Sequence, residues 1–372
     1  MNKLVWAQSL TVFLVLFFER VIFIAATVNI KYPAVFAFGD SILDTGNNND
    51  LFSVTKSDFS PYGKDFDGGV ATGRFGNGRV LSDLITAAMG VKDTLPAYLD
   101  KNLQDKDLPT GVCFASAGTG FDDTTAHLQN VLSMDTQLKH FQDYIGKLRA
   151  AVGADNASSI ISNALYVISG GNNDVAITYT FTYKHFISFP KYSSDLVEAQ
   201  RNFLKSLYQL GARHVWVLST LPLGCLPIVR SILGGPLRVI VDYENGLAQQ
   251  FNGMLASGVS NLKATLPDYD VKFVDVYSPM FRLILNPGVS GFIDTWSGCC
   301  GTGTLEMGPL CNVLCIPCSD RSSYFFWDSA HPSERAYQLT LALMLQNLNY
   351  DLTNYNISKA LGPLNVTSLN LI

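Results

Sequence analysis

The sequence carries little charge, and none of it is clustered. Only 15% of the 372 residues are Asp, Glu, Lys or Arg, and the formal net charge is -5. No block of like charges occurs, so we expect neither a polybasic membrane-binding segment nor binding to nucleic acid, which requires clustered positive charge. The hydrophobic fraction of 48% excludes a disordered chain and is enough to build one large core.

Internal repeats, low-complexity segments and linkers rich in proline, glycine and serine are also absent from the sequence. Chain length alone would allow two or three domains, yet a single α/β domain often reaches this size. Because no linker divides the chain, we expect one domain over residues 27–372. We expect this domain to be monomeric.

The first 26 residues differ in character from the rest of the chain. Lys3 precedes an apolar run over residues 10–18, and a stretch of small residues follows around Ala26. This order is typical of a secretory signal peptide that is cleaved near Ala26. A membrane-spanning signal anchor is the alternative, but Glu19 and Arg20 interrupt the apolar segment. No other stretch reaches the roughly 18 uncharged apolar residues that cross a bilayer, so we expect no transmembrane anchor in the mature protein.

Three Asn-x-Ser/Thr sequons agree with an extracellular location. They are candidate glycosylation sites at Asn156, Asn356 and Asn365. Each sequon is weak evidence alone, because such triplets also arise by chance. Together with the N-terminal segment, they predict a secreted protein that resides in the cell wall or apoplast if its source is a plant.

The seven cysteines are distributed unevenly, with five of them between residues 299 and 318. In an oxidising compartment we expect these to form disulfides. A metal site at Cys311, Cys315 and Cys318 is the alternative, although the paired C-x2-C spacing of such sites is absent. Because seven is odd, at least one thiol is free or pairs between chains. Cys113 lies away from the cluster and is our candidate for the free thiol.

Short apolar runs alternate with segments of helical periodicity between residues 34 and 350. This pattern predicts a parallel sheet covered by helices on both faces. The predicted strands are 34–38, 111–115, 164–168, 214–218 and 271–276. The predicted helices are 79–89, 134–152, 195–210, 238–266 and 333–347.

Polar residues follow three of the predicted strands, at the edge of the sheet where ligands bind in such folds. They form Gly39-Asp40-Ser41, a glycine-rich turn over 115–120 and an amide-rich turn over 170–174. Asp328 and His331 stand just before the last predicted helix. We therefore expect these four segments to meet at one site.

This set of residues is sufficient for acyl transfer without a metal or a cofactor. Ser41 is a weak nucleophile that needs a base within hydrogen-bond reach, and His331 can take its proton. Asp328 can hold the other imidazole nitrogen and so fix the tautomer. The tetrahedral intermediate needs preorganised donors, which the Ser41 amide, the Gly118 amide and the Asn173 side chain can supply as an oxyanion hole.

Other polar residues are weaker candidates for the chemistry. His185 and His214 are rival bases, but His214 begins a predicted strand. Asp40 and Asp174 could suggest a glycosidase with paired carboxylates, yet they stand where residues that brace a turn would be. We expect Asp44 and Asn47 to brace the turn after Ser41 in the same way.

Seven short motifs, in order along nearly the whole mature chain, resemble those of the plant GDSL esterases/lipases in the SGNH hydrolase superfamily. They are F-G-D-S-I-L-D-T-G-N-N-N at 38–49, G-R-F-G-N-G-R at 73–79, C-F-A-S-A-G at 113–118, G-N-N-D at 171–174, P-L-G-C-L-P at 222–227, C-C-G at 299–301 and F-W-D-S-A-H-P at 326–332. The G-x-S-x-G elbow of the α/β-hydrolases is absent.

The resemblance implies a flavodoxin-like three-layer α/β/α sandwich with a mainly parallel sheet. It also implies a secreted serine hydrolase of carboxylic esters with Ser41, Asp328 and His331 as the triad and with Gly118 and Asn173 in the oxyanion hole. Family members commonly have asparagine where Cys113 stands, which supports Cys113 as the unpaired cysteine.

The sequence leaves the substrate open. A lipid or another acyl ester is the leading expectation, and an acylated polysaccharide or cuticle ester is the alternative, with either water or an alcohol as acceptor. A non-catalytic lipid-binding relative is the rival from another class. The aromatic segment 177–192 could line an acyl pocket or contact a lipid surface, but we expect a loop that packs against the side of the domain.

Overall fold

Four short parallel strands form the central sheet of the computed structural model, which describes residues 32–362. They are β1 (Val35–Phe38), β2 (Leu165–Ile168), β3 (His214–Leu218) and β4 (Asp270–Val274), in that spatial order. Val35 pairs with Leu165, and Leu165 pairs with His214 on its other side. Nearly every residue of β1, β2 and β3 is buried, as expected for a sheet that is covered on both faces.

The predicted strand at 111–115 is wrong as a continuous strand. Only isolated parallel bridges form there, from Cys113 to Ala37 of β1 and to Ala97. Gly111, with φ 90°, turns the chain just before this run, and a turn follows directly after Ser116, so hydrogen bonding to the β1 segment is confined to residues 112–116. Counting this segment, the order is 113, β1, β2, β3, β4, which is the flavodoxin-like order 2-1-3-4-5.

Helices occupy most of the connections between the strands. They are α1 (Leu81–Ala88), α2 (Asp123–Gln129), α3 (Met134–Val152), α4 (Ala154–Asn163), α5 (Phe189–Gln209), α6 (Pro227–Leu233), α7 (Asp242–Thr265), α8 (Tyr277–Leu285), α9 (Pro287–Ser290), α10 (Glu334–Asn347) and α11 (Tyr355–Leu361). A π-helix covers Asp174–Tyr179. Short 3-10 turns lie at Asp67–Gly69, Asp105–Thr110, Tyr183–Phe186, Leu223–Cys225, Gly308–Leu310 and Arg321–Ser323.

The helices form two layers around the sheet, which confirms the predicted α/β/α sandwich. One layer contains α3, α4, α5 and α7, and the other contains α1, α8, α10 and α11. Side chains of β1 alternate between the two faces. Phe36 and Phe38 point toward the first layer, where both contact Phe141 of α3 and Phe38 also contacts Phe203 of α5.

Two predicted helices begin at different residues from those expected. α5 begins at Phe189 instead of 195, because Pro190 suits the first turn of a helix and allows the helix to start there. α7 begins at Asp242 instead of 238, because Arg238 has φ 50° and a left-handed residue cannot continue a helix.

A second, two-stranded sheet carries the cysteine cluster. β5 (Asp294–Gly298) pairs in parallel with β6 (Tyr324–Phe326). Disulfides join Cys299 to Cys318 and Cys300 to Cys311, which confirms the disulfide prediction over the metal alternative, since two of the three proposed ligands are in disulfides. Cys113 is free as predicted, and so are Cys225 and Cys315.

Some predicted features lie at or beyond the ends of the described chain. The signal peptide at 1–26 and the sequon at Asn365 are outside the described residues. Asn156 on α4 and Asn356 on α11 are exposed. Within residues 32–362, no helix has both the length and the apolar character needed to span a membrane.

Candidate active site

The turn that carries Ser41 leaves β1 with a glycine at its base. Gly39 has φ 125°, and a Cβ atom at this residue would lie 1.8 Å from the Ser169 carbonyl oxygen, so only glycine fits between the ends of β1 and β2. Gln137 of α3 holds both backbone groups of Gly39: the Gly39 amide donates to Oε1 at 2.8 Å, and Nε2 donates to the Gly39 carbonyl at 3.0 Å. The position of Ser41 is therefore set from both sides.

Asp40 braces the same turn and has no contact that would suit a glycosidase pair. Its buried carboxylate accepts hydrogen bonds from Ser169 Oγ at 2.9 Å and from Asn172 Nδ2 at 2.8 Å. Burial raises the pKa of Asp40, and these hydrogen bonds oppose that shift. Asn172 in turn accepts a hydrogen bond from the Leu221 amide, so Asp40 joins the ends of β1, β2 and β3.

Ser41, His331 and Asp328 lie in line. His331 Nε2 is 2.8 Å from Ser41 Oγ, and His331 Nδ1 is 2.8 Å from Asp328 Oδ2. The amides of Ala330 and His331 both donate to Asp328 Oδ1 at 2.8 Å. Burial would raise the pKa of Asp328, but attraction to His331 and these hydrogen bonds hold it below its usual value. An ionised Asp328 favours the tautomer with the proton on Nδ1, which leaves Nε2 free to accept from Ser41.

Tyr62 contacts the candidate triad, and no motif in the sequence pointed to this residue. Its hydroxyl donates to Asp328 Oδ2 at 2.7 Å. The Tyr62 ring packs against Phe75 and Trp327, in a cluster that also contains the disulfide cysteines. Phe75 in turn lies against His331, with ring centroids 4.9 Å apart. The segment around residues 62–75 thus supports both the acid and the base.

The predicted oxyanion donors lie at the ends of neighbouring segments of the sheet. Gly118 has φ 86° and belongs to the turn after the Cys113 bridges. Among residues 32–362, the amides of Ser41 and Gly118 donate to no other protein group. Asn173 Nδ2 donates to the Thr119 carbonyl at 2.9 Å, which leaves its second N–H available.

Asp44 and Asn47 brace the Ser41 turn against the Gly118 turn, as the sequence predicted. Asp44 accepts hydrogen bonds from the amides of Gly46 and Asn47 and, at 2.9 Å, from the Ala117 amide. Asn47 Nδ2 donates to the carbonyls of Cys113 and Ala115. Asp174 braces the loop that begins at Phe121 in the same way. Its carboxylate accepts a hydrogen bond from the Phe121 amide at 2.8 Å.

The rival bases His214 and His185 and the aromatic segment 177–192 are not part of the Ser41–His331–Asp328 line. His214 begins β3, at the opposite end of the sheet from Ser41, and stands 3.5 Å from Asp270. His185 is exposed and contacts the carbonyl of Thr182. The aromatic segment 177–192 does not form one surface, since three of its aromatic side chains are buried (Tyr179, Phe189 and Tyr192) and three are exposed (Phe181, Tyr183 and Phe186).

A serine, a histidine and an aspartate in line at the carboxyl edge of a parallel α/β sandwich have the geometry of a serine hydrolase. The model of the GDSL-like Lipase/Acylhydrolase family matches residues 35–344. The GDSL esterase/lipase At1g73610 of Arabidopsis thaliana is 47% identical over 86% of this chain and 90% of its own length. The GDSL esterase/lipase EXL3 from the same plant is 42% identical over 84% of this chain and 86% of its own length. The chain therefore belongs to the GDSL esterase/lipase family and is a carboxylic ester hydrolase.

Two solved structures are similar at low identity. A catalytic mutant of Axe2, an acetylxylan esterase from Geobacillus stearothermophilus, is 12% identical with a TM-score of 0.38 and covers 86% of this chain and 97% of its own. An extracellular lipase from Streptomyces rimosus is 14% identical with a TM-score of 0.38 and covers 84% of this chain and 98% of its own. With scores this low, the fold assignment rests on the observed topology and the family match.

Proposed function

We propose that the protein hydrolyses carboxylic esters through an acyl-enzyme on Ser41. The observation that carries this proposal is the hydrogen-bonded line from Ser41 Oγ through His331 to Asp328. Ser41 Oγ attacks the ester carbonyl carbon while His331 Nε2 takes its proton. The Asp328 carboxylate stabilises the imidazolium that forms.

The tetrahedral intermediate then collapses. His331 gives the proton to the leaving alcohol, and the acyl group stays on Ser41 as an ester. Water attacks this ester while His331 takes one of its protons. The bond between the acyl carbon and Ser41 Oγ then breaks, His331 returns the proton to Ser41 Oγ, and the carboxylic acid leaves. We assign the amides of Ser41 and Gly118 and the second N–H of Asn173 to the oxyanion, because within residues 32–362 these three N–H groups donate to no protein acceptor.

The protein is further proposed to be secreted after removal of residues 1–26. The two disulfides support an oxidising compartment, because such bonds are rare in reducing ones. Mass analysis of the protein recovered from the culture medium tests this: the mature chain should begin near Thr27 and carry glycans at Asn156 and Asn356. Retention of residues 1–26 on a membrane-bound protein would contradict it.

A lipid or other acyl ester is the proposed substrate. An ester of a polysaccharide is the second candidate. Transfer of the acyl group to an alcohol instead of water uses the same residues. The length of the preferred acyl chain separates acetyl esters from lipids.

Hydrolysis of p-nitrophenyl esters from acetate to palmitate tests the proposal, with Ser41→Ala measured beside the wild type. We expect the wild type to turn over and the kcat of Ser41→Ala to fall at least about a thousandfold. Full activity of Ser41→Ala would show that another residue is the nucleophile. Two folded but inert proteins would favour the non-catalytic binding relative.

A further inference from the structure

Six exposed apolar side chains from three separate segments form one surface, called here the Leu237 surface. Leu237 is 80% exposed and Trp296 is 55% exposed. Contiguous exposed apolar patches commonly mark sites of interaction with proteins or membranes. The surface comprises Ile232 and Leu233 of α6, Leu237 and Val239 of the loop after it, Trp296 of β5 and Leu305.

Specific contacts hold the three segments together. The Arg230 guanidinium of α6 stacks over the Trp296 ring, 4.4 Å from its centroid. Arg238 donates to the Trp296 carbonyl at 2.9 Å and to the Gly303 carbonyl at 3.0 Å. The amide of Glu306, next to Leu305, donates to Ser231 Oγ at 2.9 Å. The surface is therefore a built part of the fold, not a set of scattered exposed residues.

The Leu237 surface borders the loop that carries Asp328 and His331. The Ile228 amide, in the first turn of α6, donates to the Ser329 carbonyl at 2.8 Å. On the other side, a Cβ atom on Gly298 at the end of β5 would lie 2.8 Å from the Asp328 carbonyl carbon. The first turn of α6 and the end of β5, which both adjoin the surface, thus contact the loop that carries Asp328 and His331. The elements that carry the surface therefore pack against the loop of the candidate catalytic histidine.

We propose that the Leu237 surface docks on a phospholipid surface and so delivers ester from the lipid phase to Ser41. This inference rests on the proposed function, which requires an ester substrate. A surface that carries an exposed tryptophan together with leucine, isoleucine and valine suits the boundary between acyl chains and headgroups. The guanidinium of Arg238 donates to the carbonyls of Trp296 and Gly303 and lies near the carboxyl of Glu306, whose pKa burial raises. Its positive charge can attract headgroup phosphates.

Sedimentation with vesicles tests the docking without any turnover. Ser41→Ala is mixed with vesicles of phosphatidylcholine containing one part in five of phosphatidylglycerol, and the bound fraction is compared with that of Ser41→Ala/Leu237→Asp. We expect the affinity of the second protein for the vesicles to be at least about tenfold lower, because Leu237 no longer inserts and a charge enters the interface. Ser41→Ala/Tyr355→Asp is the matched control, since Tyr355 is 76% exposed on α11, outside this surface. We expect this control to bind like Ser41→Ala.

Equal vesicle binding by the Leu237→Asp and Ser41→Ala proteins would overturn the proposal, as would the absence of binding by Ser41→Ala. A dimer of Ser41→Ala that Leu237→Asp dissociates would also overturn it, by assigning the surface to a second copy of the chain. Circular dichroism and the Tm of each variant confirm that it is folded. Because the binding assay needs no hydrolysis, an inert wild type would refute the proposed function and leave the docking result intact.

Discussion

Tyr62 is the residue whose removal tests the support of Asp328 most simply. Tyr62→Phe keeps the ring in its cluster and removes only the hydrogen bond to Asp328. We expect kcat to fall about tenfold with little change in KM, because a buried hydrogen bond to a charged group stabilises by about 1.5–3 kcal/mol. The acid limb of the kcat/KM pH profile should move to higher pH, because a carboxylate that has lost a donor attracts imidazolium more strongly.

Tyr324→Phe is the matched control for Tyr62→Phe. Tyr324 packs against the same cluster of rings and disulfide cysteines, but it has no contact with Asp328. An unchanged pH profile in Tyr62→Phe, or an equal loss of kcat in Tyr324→Phe, would show that Tyr62 serves only packing.

The hydrogen-bonded arrangement of Ser41, His331 and Asp328 could be predicted from the sequence because each residue belongs to a short motif of a characteristic kind. The oxyanion role of Gly118 and Asn173 stays a prediction. The contacts of Tyr62 with Asp328 and of Gln137 with Gly39 could not be predicted from the sequence. Their partners lie 266 and 98 residues apart, and a single tyrosine or glutamine carries no local pattern. Only the folded chain brings these pairs together.

At the scale of elements, a buried ion pair fixes the segment before α1. Arg74 Nε donates to Asp83 Oδ2 at 2.7 Å and Nη2 to Asp83 Oδ1 at 2.9 Å, with both side chains buried. Arg74→Met leaves Asp83 without a counterion, so we expect the free energy of unfolding to fall by about 3–5 kcal/mol. Urea unfolding followed by fluorescence measures this change.

The exposed pair of Lys101 and Asp50 provides the control for Arg74→Met. Lys101→Met should change the free energy of unfolding by less than about 1 kcal/mol, because solvent screens a surface pair. If Arg74→Met were as mild as Lys101→Met, the ion pair would not be what holds the segment beside His331.

The elements themselves were predictable where periodicity was strong. The apolar runs of β1, β2, β3 and β4 and the amphipathic α3 stand close to where the sequence placed them. The run at 111–115 was not distinguishable from a strand, because its composition is that of one. Its pairing is cut short by the backbone turns on either side, which depend on φ values and not on hydropathy.

The whole molecule should be more stable in mild acid than at neutral pH. Asp44 and Asp174 are fully buried, and burial raises the pKa of each from 3.8 to about 6. Between pH 3.8 and about pH 6 these carboxyls bind more protons in the folded protein than in the unfolded chain. The free energy of unfolding therefore rises as the pH falls from 7 through 6. Each carboxyl contributes about 1 kcal/mol between pH 7 and pH 5.

Calorimetry at pH 5 and pH 7 checks this expectation, with a higher Tm predicted at pH 5. In Asp174→Asn the gain at pH 5 should be smaller, because one of the carboxyls whose pKa burial raises is gone. A Tm that is lower at pH 5 than at pH 7 would mean that the buried carboxyls are stabilised as anions.

Covalent labelling of Ser41 tests the central claim most directly. The folded protein is treated with a fluorophosphonate, which reacts with activated serines, and the modified peptide is identified by mass spectrometry. We predict one adduct, on Ser41, that is absent from Ser41→Ala and from the unfolded wild type. An adduct on another serine of the folded protein, or a folded wild type that does not react, would contradict the assignment of Ser41, His331 and Asp328 as a working catalytic triad.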